Sequence, residues 1–254
     1  MEVALITVGE ELLSGDTVDT NANWLGGRLS DRGVTVARIL TLPDDQGTIA
    51  DAVRQFADVF DAVVVTGGIG GTPDDRTMEA VADAFDREMV VSPVARSGVE
   101  RRLAELDARI PDVDVDVEAE ASVPAGSRPL VNPVGLAPGC VLENVYVFPG
   151  IPEELKAMFA TVADEFDGDR RSRYLYTVEP EANLVWALRA VPDRFPVSIG
   201  CYPDREARHN RLKLTATADE PLEAAADWLL ENVDVSETPV SRDWGPRTEE
   251  EDDD

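Results

Sequence analysis

The segment Thr66-Gly67-Gly68-Ile69-Gly70-Gly71-Thr72-Pro73-Asp74-Asp75-Arg76-Thr77 combines glycines, hydroxyls and paired carboxylates. Four glycines within five residues allow positive φ and a close backbone approach to a ligand. Thr66, Thr72 and Thr77 supply the hydroxyls. A helix opening near Arg76 would aim N–H groups and the positive end of its dipole at an anion. Asp74 and Asp75 would repel a phosphate there unless they hold a divalent cation or act as an acid/base pair. Asp also caps helices and Gly makes turns. A cap, however, requires one Asp, not two beside four glycines.

Three further segments offer ligand-lining groups. Gly9-Glu10-Glu11-Leu12-Leu13-Ser14-Gly15 leads through Asp19-Thr20 to Asn21, with Gly9 and Gly15 as brackets. Leu42-Pro43-Asp44-Asp45-Gln46 reads on its own as a capped loop. Asn132-Pro133-Val134-Gly135-Leu136-Ala137-Pro138-Gly139, with Pro149-Gly150-Ile151-Pro152 beyond it, is dense enough in Pro and Gly to pre-order a turn or a binding wall.

These segments fall where a regular alternation of elements would put them. Val3–Val8, Val34–Leu42 and Ala62–Thr66 read as buried strands. Between them, Asn21–Arg32 and the run Ile49, Val53, Phe56, Ala57 and Phe60 have helical spacing. Met78–Phe85 and Val99–Leu106 continue the pattern. The order β-α-β-α-β-α implies a parallel sheet with right-handed crossovers, covered by helices on both faces. Ligands in such sheets bind beyond the carboxyl ends of the strands, which is where the first two segments lie. Asp112–Glu118 alternates Asp and Val, so it is either an edge strand or an acidic loop. Cys140–Leu142 and Val145–Phe148 form a hairpin around Glu143-Asn144, and a helix from Leu155 to Phe166 closes the unit.

The expected fold class is therefore α/β, a three-layer sandwich with a mainly parallel sheet, followed by a small α+β domain. Residues 1–168 form the first domain and 169–235 the second. Tyr174–Val178, Val197–Tyr202 and Leu212–Ala218 are its strands, and Glu181–Ala190 and Leu222–Val233 its helices. Residues 236–254 are expected to be an acidic, disordered tail.

The 254 residues include 51 acidic and 23 basic side chains, a formal net charge of −28, and only two of the basic residues are lysine. The balance excludes a broad nucleic-acid-binding face and argues against docking on anionic lipid. A small anion can still be held by backbone N–H groups. Acidic excess with scarce lysine points to adaptation to high salt, which screens self-repulsion. At 43% apolar residues the chain can bury a core. No apolar run reaches the ~18 residues that span a bilayer. The start lacks a basic n-region, so a cytoplasmic protein is expected. Cys140 and Cys201 read as free, buried thiols. His209, the only histidine, falls in a polar surface loop, which excludes a histidine-based triad. Arg170, Arg171 and Arg173 read as a solvated linker.

The motifs Gly9–Gly15, Asp19-Thr20-Asn21, Thr66–Gly70, Asp74–Thr77, Asn132–Gly139 and Pro149–Pro152 occur in one order over about the first 165 residues. In this the chain resembles the CinA (competence/damage-inducible protein A) family and, more broadly, the molybdopterin-binding domains of molybdenum-cofactor biosynthesis. The part after Asp169 resembles the middle domain of that family.

The resemblance implies a molybdopterin-binding fold, a homo-oligomer, and a small-molecule pterin or nucleotide as ligand. In adenylylating relatives the Asp matching Asp75 is essential, and a second matches Asp44. Both are associated there with a divalent metal, here taken as Mg²⁺, and with nucleotide phosphates. The implied cofactor-binding set is Gly9, Glu10, Gly15, Asn21, Thr66, Gly67, Gly68, Gly70, Gly71, Thr72, Thr77, Asn132, Pro133, Gly135, Pro149 and Gly150. Asp75, Asp44 and Asp74 are the catalytic candidates, with Asp75 and Asp44 on the metal. The implied activities are adenylyl transfer to molybdopterin and hydrolysis of an ADP-ribose-type pyrophosphate. The alternative is a non-catalytic pterin- or nucleotide-binding module serving a partner. Two departures stand out. Position 71 is Gly where the family usually has Pro, and the amidase domain of the long forms is not matched, so that activity is not carried over.

Overall fold

The computed structural model of the chain describes residues 1–107 and 115–241. Contacts divide the chain into two units, Met1–Gly168 and Asp169–Asp254.

The first unit runs β1 (Glu2–Val8), α1 (Glu10–Ser14), α2 (Thr20–Asp31), β2 (Thr35–Leu42), α3 (Gln46–Ala57), β3 (Ala62–Thr66), α4 (Thr77–Ala84), β4 (Met89–Val91), α5 (Pro93–Asp107), α6 (Val117–Glu120), β5 (Ser122–Pro124), β6 (Arg128–Leu130), β7 (Gly139–Leu142), β8 (Val145–Phe148) and α7 (Pro152–Phe159). Six strands form one sheet in the order β2-β1-β3-β8-β7-β6. The first four are mutually parallel, and β7 and β6 are antiparallel additions.

Strand alternation decides the layers. Ala4, Ile6, Val63 and Val65 face α3 and α4, where Ile49, Val53, Phe56, Met78 and Val81 bury against them. Val3, Leu5, Ala62 and Val64 face α2 and α7, meeting Leu25, Leu29, Leu155 and Phe159. The result is the three-layer α/β sandwich with a mostly parallel sheet that the sequence pattern predicts. Asp19 and Asp45 cap α2 and α3, each carboxylate accepting a backbone N–H at 2.8 Å.

The second unit runs β9 (Arg171–Thr177), α8 (Glu181–Arg194), β10 (Ser198–Asp204), β11 (His209–Ala216) and α9 (Asp219–Asn232). Its antiparallel sheet has the order β10-β11-β9. Leu175, Leu212 and Leu214 bury one face of it against Leu184, Val191, Leu222, Ala225 and Leu229 of α8 and α9.

Several local expectations change. The closing helix stops at Phe159, and a 3₁₀ turn over Ala163–Glu165 carries Phe166 back into the core. Val117–Glu120 is a short helix capped by Asp116, not a strand, while residues 112–114 lie outside the described residues. His209 opens β11 and is half-buried, its Nδ1 2.8 Å from the Val240 carbonyl. Arg171 and Arg173 belong to β9 and not to a linker. Cys140 is buried, but Cys201 is only half-buried. Of the tail, Ser236 bridges to Tyr176, and residues 242–254 lie outside the described residues. No helix among the described residues is long and apolar enough to cross a membrane.

Candidate functional site

The four parallel strands point their carboxyl ends to one edge, so Val8, Leu42, Thr66 and Phe148 deliver their following loops to the same place. A cleft of about 810 Å³ opens there. One wall is Val8 and Gly9 with Gly67 to Gly71. Val134 to Ala137 form a second wall, Pro149 to Pro152 lie against Gly67, where a Cβ on Gly150 would stand 3.4 Å from the Gly67 Cα, and Asp44, Asp74, Asp75, Glu11, Glu120 and Glu154 line the cleft too.

The glycine-rich loop is built on two consecutive left-handed residues, Gly67 at φ 98° and Gly68 at φ 64°. No side chain fits at either position. A Cβ on Gly67 would collide with the Val8 carbonyl, and one on Gly68 would meet the Thr77 hydroxyl. Thr77, buried at the start of α4, staples the loop. Its N–H donates to the Gly68 carbonyl at 2.9 Å and its hydroxyl to the Gly67 carbonyl at 2.8 Å.

The carboxylates are held in different ways. Asp44 accepts the Glu10 N–H at 3.0 Å, so Glu10 contributes its backbone to the site. Burial pushes the Asp44 carboxyl above its usual range. The Glu10 N–H opposes this, while the negative charges of Glu11, Asp74 and Asp75 add to it. Asp75 accepts both the N–H and the hydroxyl of Thr72 on Oδ2. The same oxygen lies 2.7 Å from where a Cβ on Gly70 would stand. The Glu120 carboxylate occupies the space where a Gly71 side chain would be. Burial, and then Asp75, raise the Glu120 carboxyl as well. Among the described residues no three metal-ligating side chains are already gathered around one point.

The second wall is knotted from within. Asn132 is buried, and its Oδ1 accepts the N–H groups of Val134 and Gly135 at 3.0 and 2.8 Å. Its Nδ2 donates to the Ala137 carbonyl and to Glu154. Arg102 of α5 ties the same loop down by donating to the Val134 carbonyl. The Thr66 hydroxyl donates to the Pro149 carbonyl at 3.0 Å, and Asn21 Nδ2 donates to the Gly150 carbonyl at 2.6 Å.

The expected ligand-binding residues thus divide by position. Gly9, Asp44, Gly67, Gly68, Gly70, Gly71, Asp74, Asp75, Gly135, Pro149 and Gly150 line the cleft. Thr72 lines an adjoining cavity of about 310 Å³, which shares Gly68, Gly70, Asp75 and Glu120 with the cleft. Asn21 and Thr66 line a smaller one of about 100 Å³ behind Gly150. Thr77 spends its polar atoms on loop backbone, and Asn132 spends its own on loop backbone and the Glu154 carboxylate. Pro133 is exposed outside these cavities, and Gly15 ends α1 in a left-handed cap at φ 79°. Glu11, which lines the cleft, falls in the Gly9–Gly15 segment, whereas Leu106, Glu120 and Glu154 line it without a motif to announce them. Of the last three only Glu154 had a nearby signal, two residues past Pro152.

Residues 4–167 match the family model described as a probable molybdopterin binding domain, and residues 170–238 match the one described as the FAD synthase middle domain. A protein of Archaeoglobus fulgidus is 37% identical over 205 residues, covering 80% of this chain and 86% of that one. A CinA-like protein of Citrifermentans bemidjiense is 34% identical over 244 residues. That alignment covers 92% of this chain but 58% of the relative, so the chain spans little more than half of that protein. Among solved structures, the protein CinA of unknown function from Thermoplasma acidophilum matches with a TM-score of 0.59 at 32% identity, covering 66% of this chain and 99% of that one. The chain belongs to the molybdopterin-binding domain family, as a CinA-like member.

Proposed function

We propose that the chain binds a pterin or nucleotide through its phosphates in the cleft of the first unit and acts on a phosphoanhydride. The reaction is adenylyl transfer to molybdopterin or hydrolysis of an ADP-ribose-type pyrophosphate. The observation that carries this reading is the bare, left-handed Gly67-Gly68 backbone set between the carboxylates of Asp44 and Asp75. The backbone after Gly67, whose own N–H donates to the Phe148 carbonyl at 3.1 Å, would let a phosphate approach in so acidic a protein.

The donor set fits Mg²⁺ in one way. Magnesium keeps most of its waters and takes one or two carboxylates plus substrate phosphates, so it needs no three-ligand cage. Asp75 and Asp44 would hold it, with Asp74 nearby, and the bound metal would polarise a phosphoryl oxygen. Thr72 fixes the Asp75 carboxylate and the Glu10 N–H fixes that of Asp44. The 132–138 wall and the Pro149–Pro152 turn bound the volume for the pterin or nucleoside. The match of residues 170–238 to the FAD synthase middle domain supports the nucleotide version. The working form is a homo-oligomer in the cytoplasm of a salt-adapted cell, a reading that rests on the family and on the −28 charge.

A second reading is a binding module without turnover, favoured by the way Thr77 and Asn132 spend their side-chain donors on holding loops instead of facing the cleft. Assays in high salt with ADP-ribose, and with ATP plus molybdopterin, each with and without Mg²⁺, separate the two. Product formed only with Mg²⁺ supports the enzyme. A ligand-dependent rise in melting temperature without product supports the module. Neither product nor a rise overturns both.

A further inference from the structure

The cavity of about 310 Å³ beside the cleft shares Gly68, Ile69, Gly70, Gly71, Asp75 and Glu120 with it. That volume is at the lower end of the roughly 300–1,000 Å³ of small-molecule pockets. Ile69, Met78 and Pro138 are buried, Met89 is half-buried, and together they give the cavity apolar walls. Aliphatic groups and methionine sulfur suit the face of a flat heterocycle. A ligand that rests a phosphate on the shared glycine loop can therefore seat its ring here.

The polar groups of this cavity ask for a particular edge on that ring. Asp75 Oδ2 is engaged by Thr72, and the Ser122 hydroxyl donates to the Glu118 carbonyl at 2.8 Å. The Glu79 and Glu120 carboxylates are left to face a ligand. Of the two, Glu120 also lines the cleft, half-buried, with its carboxylate in the space beside Gly71. An ionised carboxylate only accepts, and its two oxygens lie side by side. Its best match is a pair of neighbouring N–H donors. Burial and Asp75 disfavour charge on Glu120, and two such donors would offset that.

We infer that Glu120 is a specificity-determining residue that reads a 2-amino-4-oxopyrimidine edge in this cavity, the edge that pterins and guanine share. The 2-amino group and the adjacent ring N–H would each donate to one carboxylate oxygen. Adenine sets an amino donor beside a ring-nitrogen acceptor, so its second contact would bring lone pairs together. The edge is neutral, so the acidity of the chain does not oppose it. The inference rests on the phosphate-binding reading of the cleft and narrows it. A carboxylate in the ring cavity favours adenylyl transfer to molybdopterin over hydrolysis of ADP-ribose, whose base is adenine.

Calorimetric titration of the full chain in high salt with neopterin monophosphate, GMP and AMP tests the assignment. All three carry one phosphate, and only the first two present the edge. The wild type should bind at least one of those two about tenfold or more tighter than AMP, and which of them it prefers separates a pterin from a guanine nucleotide. Glu120→Gln, with one acceptor and one donor, should lose that preference by weakening the favoured ligand and not AMP. Gly71→Ala is the second variant. Residue 71 is exposed, and a methyl there takes the space of the Glu120 carboxylate. The preference should fall again, now with the charge unchanged. A preference kept by Glu120→Gln overturns the role of Glu120 and leaves phosphate binding in place. So does a loss at Glu79→Gln instead, or AMP bound tightest by the wild type. Binding of none of the three overturns the phosphate reading itself, and this inference with it.

Discussion

The Asp44 Oδ1 atom lies 3.4 Å from the point where a Cβ on Gly68 would stand, although Asp44 follows β2 and Gly68 follows β3. The two loops therefore share one space, and the missing side chain is what lets them share it. Gly68→Ala would force an L-residue into φ 64° and set its Cβ against the Thr77 hydroxyl, Val8 and Asp44. The left-handed conformation alone costs about 1–2 kcal/mol. Chemical denaturation should show at least that loss. Ligand-induced stabilisation should fall with it, and an alanine variant as stable as the parent would show that the two loops do not need a glycine at position 68.

Asp44→Asn should stabilise the folded chain near neutral pH while abolishing any Mg²⁺-dependent rise in melting temperature. The folded Asp44 carboxyl titrates above its ordinary value, chiefly because of burial. A raised carboxyl favours the fold fully only below its unfolded pKa, and that contribution is lost as pH rises through the folded value. Asn keeps an oxygen to accept the Glu10 N–H and carries no charge. The stability gap between variant and parent should thus be open at pH 7 and close below pH ~3.8. Thermal melts across that range measure it, and a gap that widens on acidification would reverse the sign.

Asp75→Asn isolates charge from structure. Asn can still accept from Thr72 through one oxygen, so the loop bonds survive. Stability should move by no more than about 0.5 kcal/mol, as for an ordinary surface change. Metal-dependent turnover should fall by about 100-fold or more. Turnover equal to that of the parent would take the metal away from Asp75.

The frame of the site was legible because it depends on periodicity. The continuous apolar runs Val3 to Val8 and Ala62 to Thr66, separated by helical spacing, marked both the strands and the edge where their loops meet. Glycine-rich loops at that edge marked the backbone wall. The sequence could not show that Thr77 and Asn132 turn their polar groups inward, because a buried hydrogen bond and an open ligand contact ask for the same residue types. Glu120 was invisible for another reason. It sits on a four-residue helix with no repeat to read, and it matters only because Gly71 leaves it room. The helix expected through Phe166 ended early because Phe166 is drawn into the core against Tyr146 and Phe159, stacking with the latter at 5.4 Å.

Asn132→Ala tests whether the 132–137 wall depends on one buried side chain. The amide makes four hydrogen bonds, two as acceptor and two as donor. Removing it strands the Val134 and Gly135 N–H groups and frees Glu154 beside the cleft. A buried donor left unpaired costs about 1–3 kcal/mol, and a loop that can reach water recovers part of that. The expected loss is about 2–3 kcal/mol by denaturant titration. Faster amide exchange should appear at residues 134–137, while β1 and β3 at the centre of the sheet stay protected. Because Asn132 does not itself line the cleft, any loss of ligand binding in this variant comes through the wall. Asn132→Asp, which keeps the acceptor toward Val134 and Gly135 but opposes Glu154 and the Ala137 carbonyl, should recover the N–H pairing and not the links to Glu154 and Ala137. Full recovery of binding by Asp would assign the wall to the two N–H bonds alone, and partial recovery to those bonds together with the links to Ala137 and Glu154.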